Sequence, residues 1–153
     1  MIDSDKIQRM KLWGRRKITF QREYENNKKS IDNKTIVQGG IYNVNFGINM
    51  GSEMDKNRPA IVVSNQSFNN RKNGIVVVVP LTGSVIRKAN GLPKYNYHFI
   101  LEQKEYPFLD KDSAIQFNHI RSISSKRIDS ENPKGFISGN DLTTILNKLK
   151  RFF

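Results

Sequence analysis

The chain contains no cysteine, and this absence removes several classes of chemistry at once. Disulfide bridges, thiolate metal sites and thiol nucleophiles are all excluded. The only histidines are His98 and His119, so the usual three-ligand catalytic zinc site cannot be built from histidine alone. No apolar stretch approaches the roughly 18 residues of a membrane span, and no apolar core follows the N-terminal charges. We therefore expect a cytoplasmic protein that needs neither a metal nor another cofactor.

The chain is also poor in acidic residues. It has 14 acidic against 26 basic residues in a length of 153, which gives a net charge of +12. Such a balance favours a polyanionic partner, either a nucleic acid or an acidic protein, although simple solubility is the alternative. The length suits one domain with a modest core.

Residues 1–38 differ from the rest of the chain. Apolar residues recur there at roughly helical spacing, after possible caps at Asp3 and Ser4, and these residues are Ile7, Met10, Trp13, Phe20 and Tyr24. A polar stretch then follows and is typical of a linker. We predict a basic helical extension over 1–38 and a second unit over 39–153. The extension is either a helix that grips RNA or a partner, or a helix that packs on the second unit, or a frayed tail.

The second unit has the pattern of short strands. Apolar and β-branched residues predict strands over 41–46, 59–64, 75–79, 95–101, 113–123 and 135–137. A break in alternation near 118–119 indicates a bulge, 66–74 is predicted as a turn, and 124–128 as one helical turn. The pattern predicts a mostly antiparallel small barrel, although composition alone does not choose the barrel type.

The C-terminus is predicted to be an α-helix. Ser138 or Asn140 caps it, Asp141 lies in its first turn, and basic residues lie in its last turn. Its apolar stripe consists of Leu142, Ile145, Leu146, Leu149 and either Phe152 or Phe153.

Two strands that we expect to pair carry a cation and a hydroxyl at their ends. Arg58 opens the run that ends at Asn65, and Thr82 closes the run that begins at Ile75. With Ser52 in the preceding loop, these side chains suit a phosphate group. Each residue also has a plain structural alternative: an ion pair of Arg58 with a nearby acid, a strand-end cap for Thr82, and a turn for Ser52.

Five stretches of the chain resemble the MazF/PemK family of toxin endoribonucleases. They are in the family's order and at close to its spacing, and they cover about 39–128. The stretches are Gly40–Asn45, Gly51–Glu53, Arg58–Asn65, Pro80–Gly83, and Leu109–Ser113 running on to Ile120–Ile123. The resemblance implies an SH3-like barrel, a homodimer, and a partner antitoxin with an acidic, disordered tail.

The resemblance also implies a reaction. Single-stranded mRNA is cleaved without metal by attack of its own 2′-hydroxyl, which leaves a 2′,3′-cyclic phosphate and a 5′-hydroxyl. Arg58 becomes the catalytic arginine, which stabilises phosphoryl charge first and donates a proton second. Thr82 is the second residue that the family marks, and Ser52 lies in the loop that closes over RNA.

One position departs from the family pattern. Many members read Glu-Gln-Ile-Arg where this chain reads Asn118-His119-Ile120-Arg121. An imidazole is a better acid or base near neutral pH than a guanidinium, so His119 is a candidate for proton transfer, with a structural role as the alternative. Further residues are predicted to bind RNA, and they are Glu53, Lys56, Asn65, Phe68, Arg71, Lys72, Arg87, Lys88, Lys94 and Arg121.

Two other functions stay open at this point. A toxin of the same barrel can inhibit DNA gyrase by binding, and a barrel of this kind can bind nucleic acid without cutting it. The pair Arg58 and Thr82 favours the nuclease, because binding alone does not require it.

Overall fold

The computed structural model describes residues 4–26, 35–70, 74–130 and 132–153. In chain order its elements are α1 (Ser4–Asn26), β1 (Gly40–Asn45), β2 (Asn57–Val62), α2 (Gln66–Asn69), β3 (Ile75–Thr82), β4 (His98–Leu101), β5 (Ser113–Gln116), β6 (Arg121–Ser124), β7 (Gly135–Phe136) and α3 (Gly139–Phe152). The seven strands form one curled, antiparallel sheet in the order β4-β5-β3-β2-β1-β7, with β6 also paired to β3. The predicted small antiparallel barrel with a helix at each end is confirmed as a curled half-barrel.

Strand β3 lies at the centre of this sheet. Its apolar run pairs with β2 along one side, where Val79 faces Ile61. Along its other side β3 pairs first with β6 and then with β5. The chain passes between these two partners through a 3₁₀ turn over Phe117–His119. The single strand with a bulge that the sequence predicted over 113–123 is therefore wrong, because the chain changes its position along β3 at this turn.

The curl of the sheet separates two apolar clusters. Alternate residues of β1 and β2 face opposite sides, so Ile41 and Ile61 belong to one cluster while Tyr42 and Ala60 belong to the other. Helix α3 packs on the first cluster, in which Ile145 is fully buried. The curled sheet therefore buries apolar side chains on both of its faces.

Helix α3 confirms the predicted C-terminal helix. Ser138 is its N-cap, with a side-chain oxygen that accepts a hydrogen bond from Asp141 N at 3.1 Å. The Tyr106 hydroxyl also bonds the Asp141 carboxylate and ties a loop to this cap. The predicted stripe ends one turn early, because Phe152 and Phe153 are exposed.

The N-terminal helix is confirmed over Ser4–Asn26, with Asp3 outside the described residues. Of its predicted stripe only Trp13 is buried, and its indole lies against Gly47, just after β1. The arm therefore packs on the barrel. The division of the chain at residue 38 stays a prediction.

Three smaller predictions have mixed outcomes. The strand predicted over 95–101 begins only at His98, and the turn predicted after Asn65 contains the short helix α2, which Asn65 caps. The helical turn near residue 125 and the edge strand β7 are confirmed. Among the described residues, none of the helices is both long and apolar enough to cross a bilayer.

Candidate functional site

The site is built at one end of the β2–β3 pair. Pairing of Ala60 with Pro80 brings Arg58, two residues before Ala60, and Thr82, two residues after Pro80, to this same end. Arg58 is half-buried, and its Nε donates a hydrogen bond to the Asp55 carbonyl oxygen at 2.8 Å. This bond orients the guanidinium and leaves its two terminal nitrogens as donors for a ligand.

The suggested ion pair of Arg58 with Glu53 or Asp55 does not form in the described part of the chain. The Asp55 carboxylate lies instead 3.9 Å from Lys6 Nζ, on α1. The Glu53 carboxylate accepts a hydrogen bond from Met50 N at 3.2 Å. Arg58 therefore brings an unneutralised positive charge to the site.

His119 lies close enough to Arg58 to feel that charge. It is half-buried in the 3₁₀ turn that separates β5 from β6. Partial burial, and then the positive charge of Arg58, lower the pKa of His119 below its usual 6.5. The imidazole is therefore neutral at pH 7 and able to accept a proton.

A cavity of about 280 Å³ opens beside His119. It lies between the 3₁₀ turn and the β1–β2 loop, and its wall consists of Asn49, Glu53, Met54, Asn118, His119, Ile120 and Arg121. Arg121 reaches it from β6, with its guanidinium 5.9 Å from the centre of the Phe46 ring. The cavity thus brings together three predicted site residues, Glu53, His119 and Arg121, and Arg58 lies within electrostatic range of His119.

The β1–β2 loop is held in shape by its own hydrogen bonds. Asn49 Nδ2 donates to the carbonyls of Phe46 and Met54 at 2.7 and 2.6 Å, and Lys56 N donates to Gly47 O at 2.6 Å. Lys56 itself has a positive φ of 69°, which closes the loop onto β2. The loop is therefore a shaped wall of the cavity.

Ser52 lies at the exposed tip of this loop. The neighbouring Gly51 has a φ of 54°, and a Cβ there would meet nothing within 4 Å. Lys56 is likewise exposed. Both predicted residues belong to the loop, but they point to solvent and do not contact Arg58 among the described interactions.

Thr82 lines a second cavity, of about 140 Å³, together with Pro59. Its Oγ1 accepts a hydrogen bond from Ser84 N at 3.2 Å, so Thr82 does cap the end of β3, as the structural alternative predicted. The hydroxyl proton is still available for a ligand. Lys111 also lines this cavity and adds a positive charge that the sequence did not predict, whereas Lys134 in the same wall lies 3.8 Å from the Asp110 carboxylate. Lys111 lies within one of the matching stretches, so a signal for it was present.

A stack of aromatic rings borders the site on the β4 side. Tyr95 stacks on Tyr97 at 5.1 Å, and His98 meets the Tyr97 ring edge-on at 4.9 Å. His98 is only 5 % exposed, and its pKa is lowered by burial and by the charge of His119. Lys94 Nζ lies 5.6 Å above the Tyr95 ring. Aromatic rings in mutual contact thus run from the loop between β3 and β4 to the buried His98.

The other two predicted basic residues of the loop between β3 and β4, Arg87 and Lys88, differ in their contacts. The Arg87 guanidinium lies 3.6 Å from the Asp112 carboxylate and 3.9 Å from that of Glu102, and it donates to Gly91 O at 3.1 Å. It therefore holds the loop together, whereas Lys88 is exposed.

Two predicted RNA-binding residues lie far from the site. Asn65 and Phe68 follow the opposite end of β2, roughly 20 Å from Arg58 at the usual rise per residue. Asn65 Oδ1 accepts from Phe68 N at 2.9 Å and caps α2. Arg71 and Lys72 are outside the described residues. The described residues contain no group of three His, Cys, Asp or Glu side chains placed to hold a metal ion.

Comparison with known proteins gives the same fold. A family model described as PemK-like, MazF-like toxin of type II toxin-antitoxin system matches residues 37–153. A crystal structure of MazF from Deinococcus radiodurans is 20% identical, with a TM-score of 0.59 over 77% of this chain and 96% of that one. A mycobacterial endoribonuclease in complex with its cognate antitoxin is 16% identical, with a TM-score of 0.55 over 76% of this chain and 92% of that one.

Proposed function

Since the chain belongs to the family of PemK-like, MazF-like toxins of type II toxin-antitoxin systems, we propose that it is an endoribonuclease that cuts single-stranded RNA. The observation that carries the proposal is a neutral His119 in the wall of a cavity, with Arg58 near enough for its charge to lower the pKa of His119. This pair supplies the two groups that RNA cleavage by its own 2′-hydroxyl needs, a base and a charge stabiliser.

In the proposed reaction RNA provides the nucleophile. The neutral imidazole of His119 accepts the proton of the 2′-hydroxyl, whose oxygen then attacks the adjacent phosphorus. The bond from phosphorus to the 5′-oxygen breaks, which leaves a 2′,3′-cyclic phosphate on one fragment and a 5′-hydroxyl on the other. No metal ion takes part in any of these steps.

Arg58 acts on the phosphate. Its terminal nitrogens bond the phosphoryl oxygens, on which negative charge grows in the transition state, and its fixed charge persists at any working pH. Donation of a proton to the leaving 5′-oxygen is its second role, and the proton that His119 accepted then returns to the guanidine and restores both residues. Thr82, at the same end of the β2–β3 pair, donates a hydrogen bond from its hydroxyl to a phosphoryl oxygen. Ser52, at the tip of the β1–β2 loop, contacts the RNA when that loop meets it.

The wider surface supports a single-stranded substrate. Tyr95 and Tyr97 offer stacked faces to bases, and Lys88, Lys94 and Arg121 surround the site with positive charge. We propose that an antitoxin with an acidic segment covers the same surface, as an antitoxin partners the mycobacterial relative. Membership of this family likewise favours a homodimer in the cytoplasm.

The test is incubation of the purified protein with a long single-stranded RNA in the presence of EDTA. We expect discrete fragments whose 5′ ends accept phosphate from a polynucleotide kinase without prior phosphatase treatment. Arg58→Ala is expected to lower the rate at least about 100-fold, the usual loss when one charge-stabilising donor is removed.

Arg151→Ala is the matched control, because that arginine is exposed near the end of α3 and lies outside the site. It should cut like the unchanged protein. Cleavage that EDTA abolishes and Mg²⁺ restores would refute the mechanism. Full activity in a folded Arg58→Ala variant would refute the site.

A further inference from the structure

A second groove lies between the N-terminal helix and the sheet. It encloses about 360 Å³ between α1 and the end of β6 with the turn that follows. Three aromatic and three basic side chains line it: Trp13, Phe20, Tyr24, Lys17, Lys126 and Arg127. The α1 side of the groove belongs to residues that the family model does not match.

The groove gathers positive charge. Half-buried Arg127 donates to the Asn45 carbonyl at 3.2 Å and lies 5.4 Å from the Trp13 ring centre, and none of its described partners is a carboxylate. Burial and the neighbouring charge of Arg121 lower its pKa. Lys126 has one acidic partner, Glu23, at 3.2 Å. An anion bound here would relieve the repulsion among these cations.

The aromatic residues narrow the choice of anion. Phe20 meets Trp13 edge-on at 6.0 Å, and Lys17 Nζ lies 5.9 Å from the Trp13 ring centre. Aromatic faces interleaved with cations are the pattern by which proteins hold single-stranded nucleic acid, base on ring and phosphate on cation. An acidic peptide needs the cations alone.

One residue links the groove electrostatically to the site already described. Arg121 lines the cavity beside His119, and its positive charge helps to lower the pKa of Arg127, which lines the groove. The basic wall of the groove therefore lies within electrostatic range of the basic wall of the cavity.

We propose that this groove is a second binding site for single-stranded RNA, which holds a nucleotide flanking the one that is cut. The base contacts Tyr24 and Phe20, and the phosphate is bound by Lys17 and Arg127. The choice of RNA as ligand rests on the proposed function. The extension thereby lengthens the RNA-binding surface beyond that of the family core.

The single tryptophan of the chain gives a direct readout, because Trp13 forms part of the groove wall. A mixed-sequence single-stranded oligodeoxynucleotide of about 16 nucleotides serves as the probe. It has no 2′-hydroxyl and is not cut. Its addition should quench or shift the tryptophan fluorescence in a saturable way. Lys17→Glu and Tyr24→Ala should each weaken this binding by about tenfold.

Lys11→Glu is the matched control, since it makes the same change in net charge on the same helix outside the groove. It should bind nearly as the unchanged protein does. Equal losses in Lys11→Glu and Lys17→Glu would overturn the proposal, as would binding by fluorescence anisotropy with unchanged tryptophan emission. A response to a glutamate-rich peptide alone would assign the groove to an acidic protein and also overturn it. If the protein shows the expected fluorescence response but does not cut RNA, the proposed nuclease activity is refuted and the proposed binding site in the groove is retained.

Discussion

Arg58 has two separate effects on its surroundings. Its planar fork is suited to phosphoryl oxygens, and its charge helps to lower the pKa of His119. A wild-type His119 therefore stays neutral to a lower pH than an ordinary histidine does. The two effects are separable by substitution, since lysine keeps a charge but lacks the fork.

We predict that Arg58→Ala raises the pKa of His119, whereas Arg58→Lys leaves it lowered. In the alanine variant only burial still opposes the charged imidazole, so protonation begins at a higher pH. An NMR titration of the two histidine side chains measures this directly. Arg151→Ala is the control, because it removes the same charge at an exposed position near the end of α3 and should leave the titration of His119 unchanged. An unchanged His119 pKa in Arg58→Ala would show that the two residues are not coupled.

Among the secondary-structure elements, α1 and the β1–β2 loop depend on each other. The Trp13 indole occupies the space beside Gly47, where a Cβ would lie 2.2 Å from indole Cε2. Lys6 Nζ donates to the Gly51 carbonyl at 3.3 Å, near the tip of the same loop. Helix α1 thus contacts both the start and the tip of the β1–β2 loop. This loop is one wall of the candidate site.

We predict that Trp13→Ala loosens this loop. Loss of a buried indole costs roughly 3 kcal/mol of folding free energy, and the amides of 47–56 should exchange hydrogen faster than the rest of the sheet. Hydrogen exchange with mass spectrometry measures both the local exchange rates and the loss of folding free energy. Leu12→Ala is the control, because Leu12 lies on the same helix and is 61% exposed. Equal exchange in the two variants would mean that α1 does not support the loop.

Local pattern predicted most elements but not where the chain changes partner. The strand Ile75–Thr82 is predicted by its β-branched composition, and α3 is predicted by the helical period of its apolar residues. The 3₁₀ turn at Phe117–His119 follows instead from β5 and β6 sharing one edge of β3, which is a tertiary fact. The same limit hides the cavity beside Thr82 and the groove beside α1, since each needs residues distant in sequence.

For the chain as a whole, the net charge of +12 predicts that RNA binding responds steeply to salt, with a slope set by the number of cations that contact phosphates. Each phosphate that a lysine or arginine neutralises releases counterions, so affinity should fall steeply between low and physiological ionic strength. Fluorescence anisotropy with labelled oligodeoxynucleotide measures the slope. Lys94→Glu should make the slope shallower, and Lys150→Glu, at the far end of α3, is the control of equal charge. A flat salt dependence would contradict an electrostatic surface.

The contact between Trp13 and Gly47 limits which residues position 47 can accept. Gly47 lies within the matched residues 37–153, whereas Trp13 lies in the added arm. Glycine is needed at 47 both for its φ of 78° and for the indole beside it. Asparagine would tolerate the positive φ, but its Cβ would collide with the indole. The contact with α1 therefore restricts position 47 to glycine more strictly than the backbone conformation alone does.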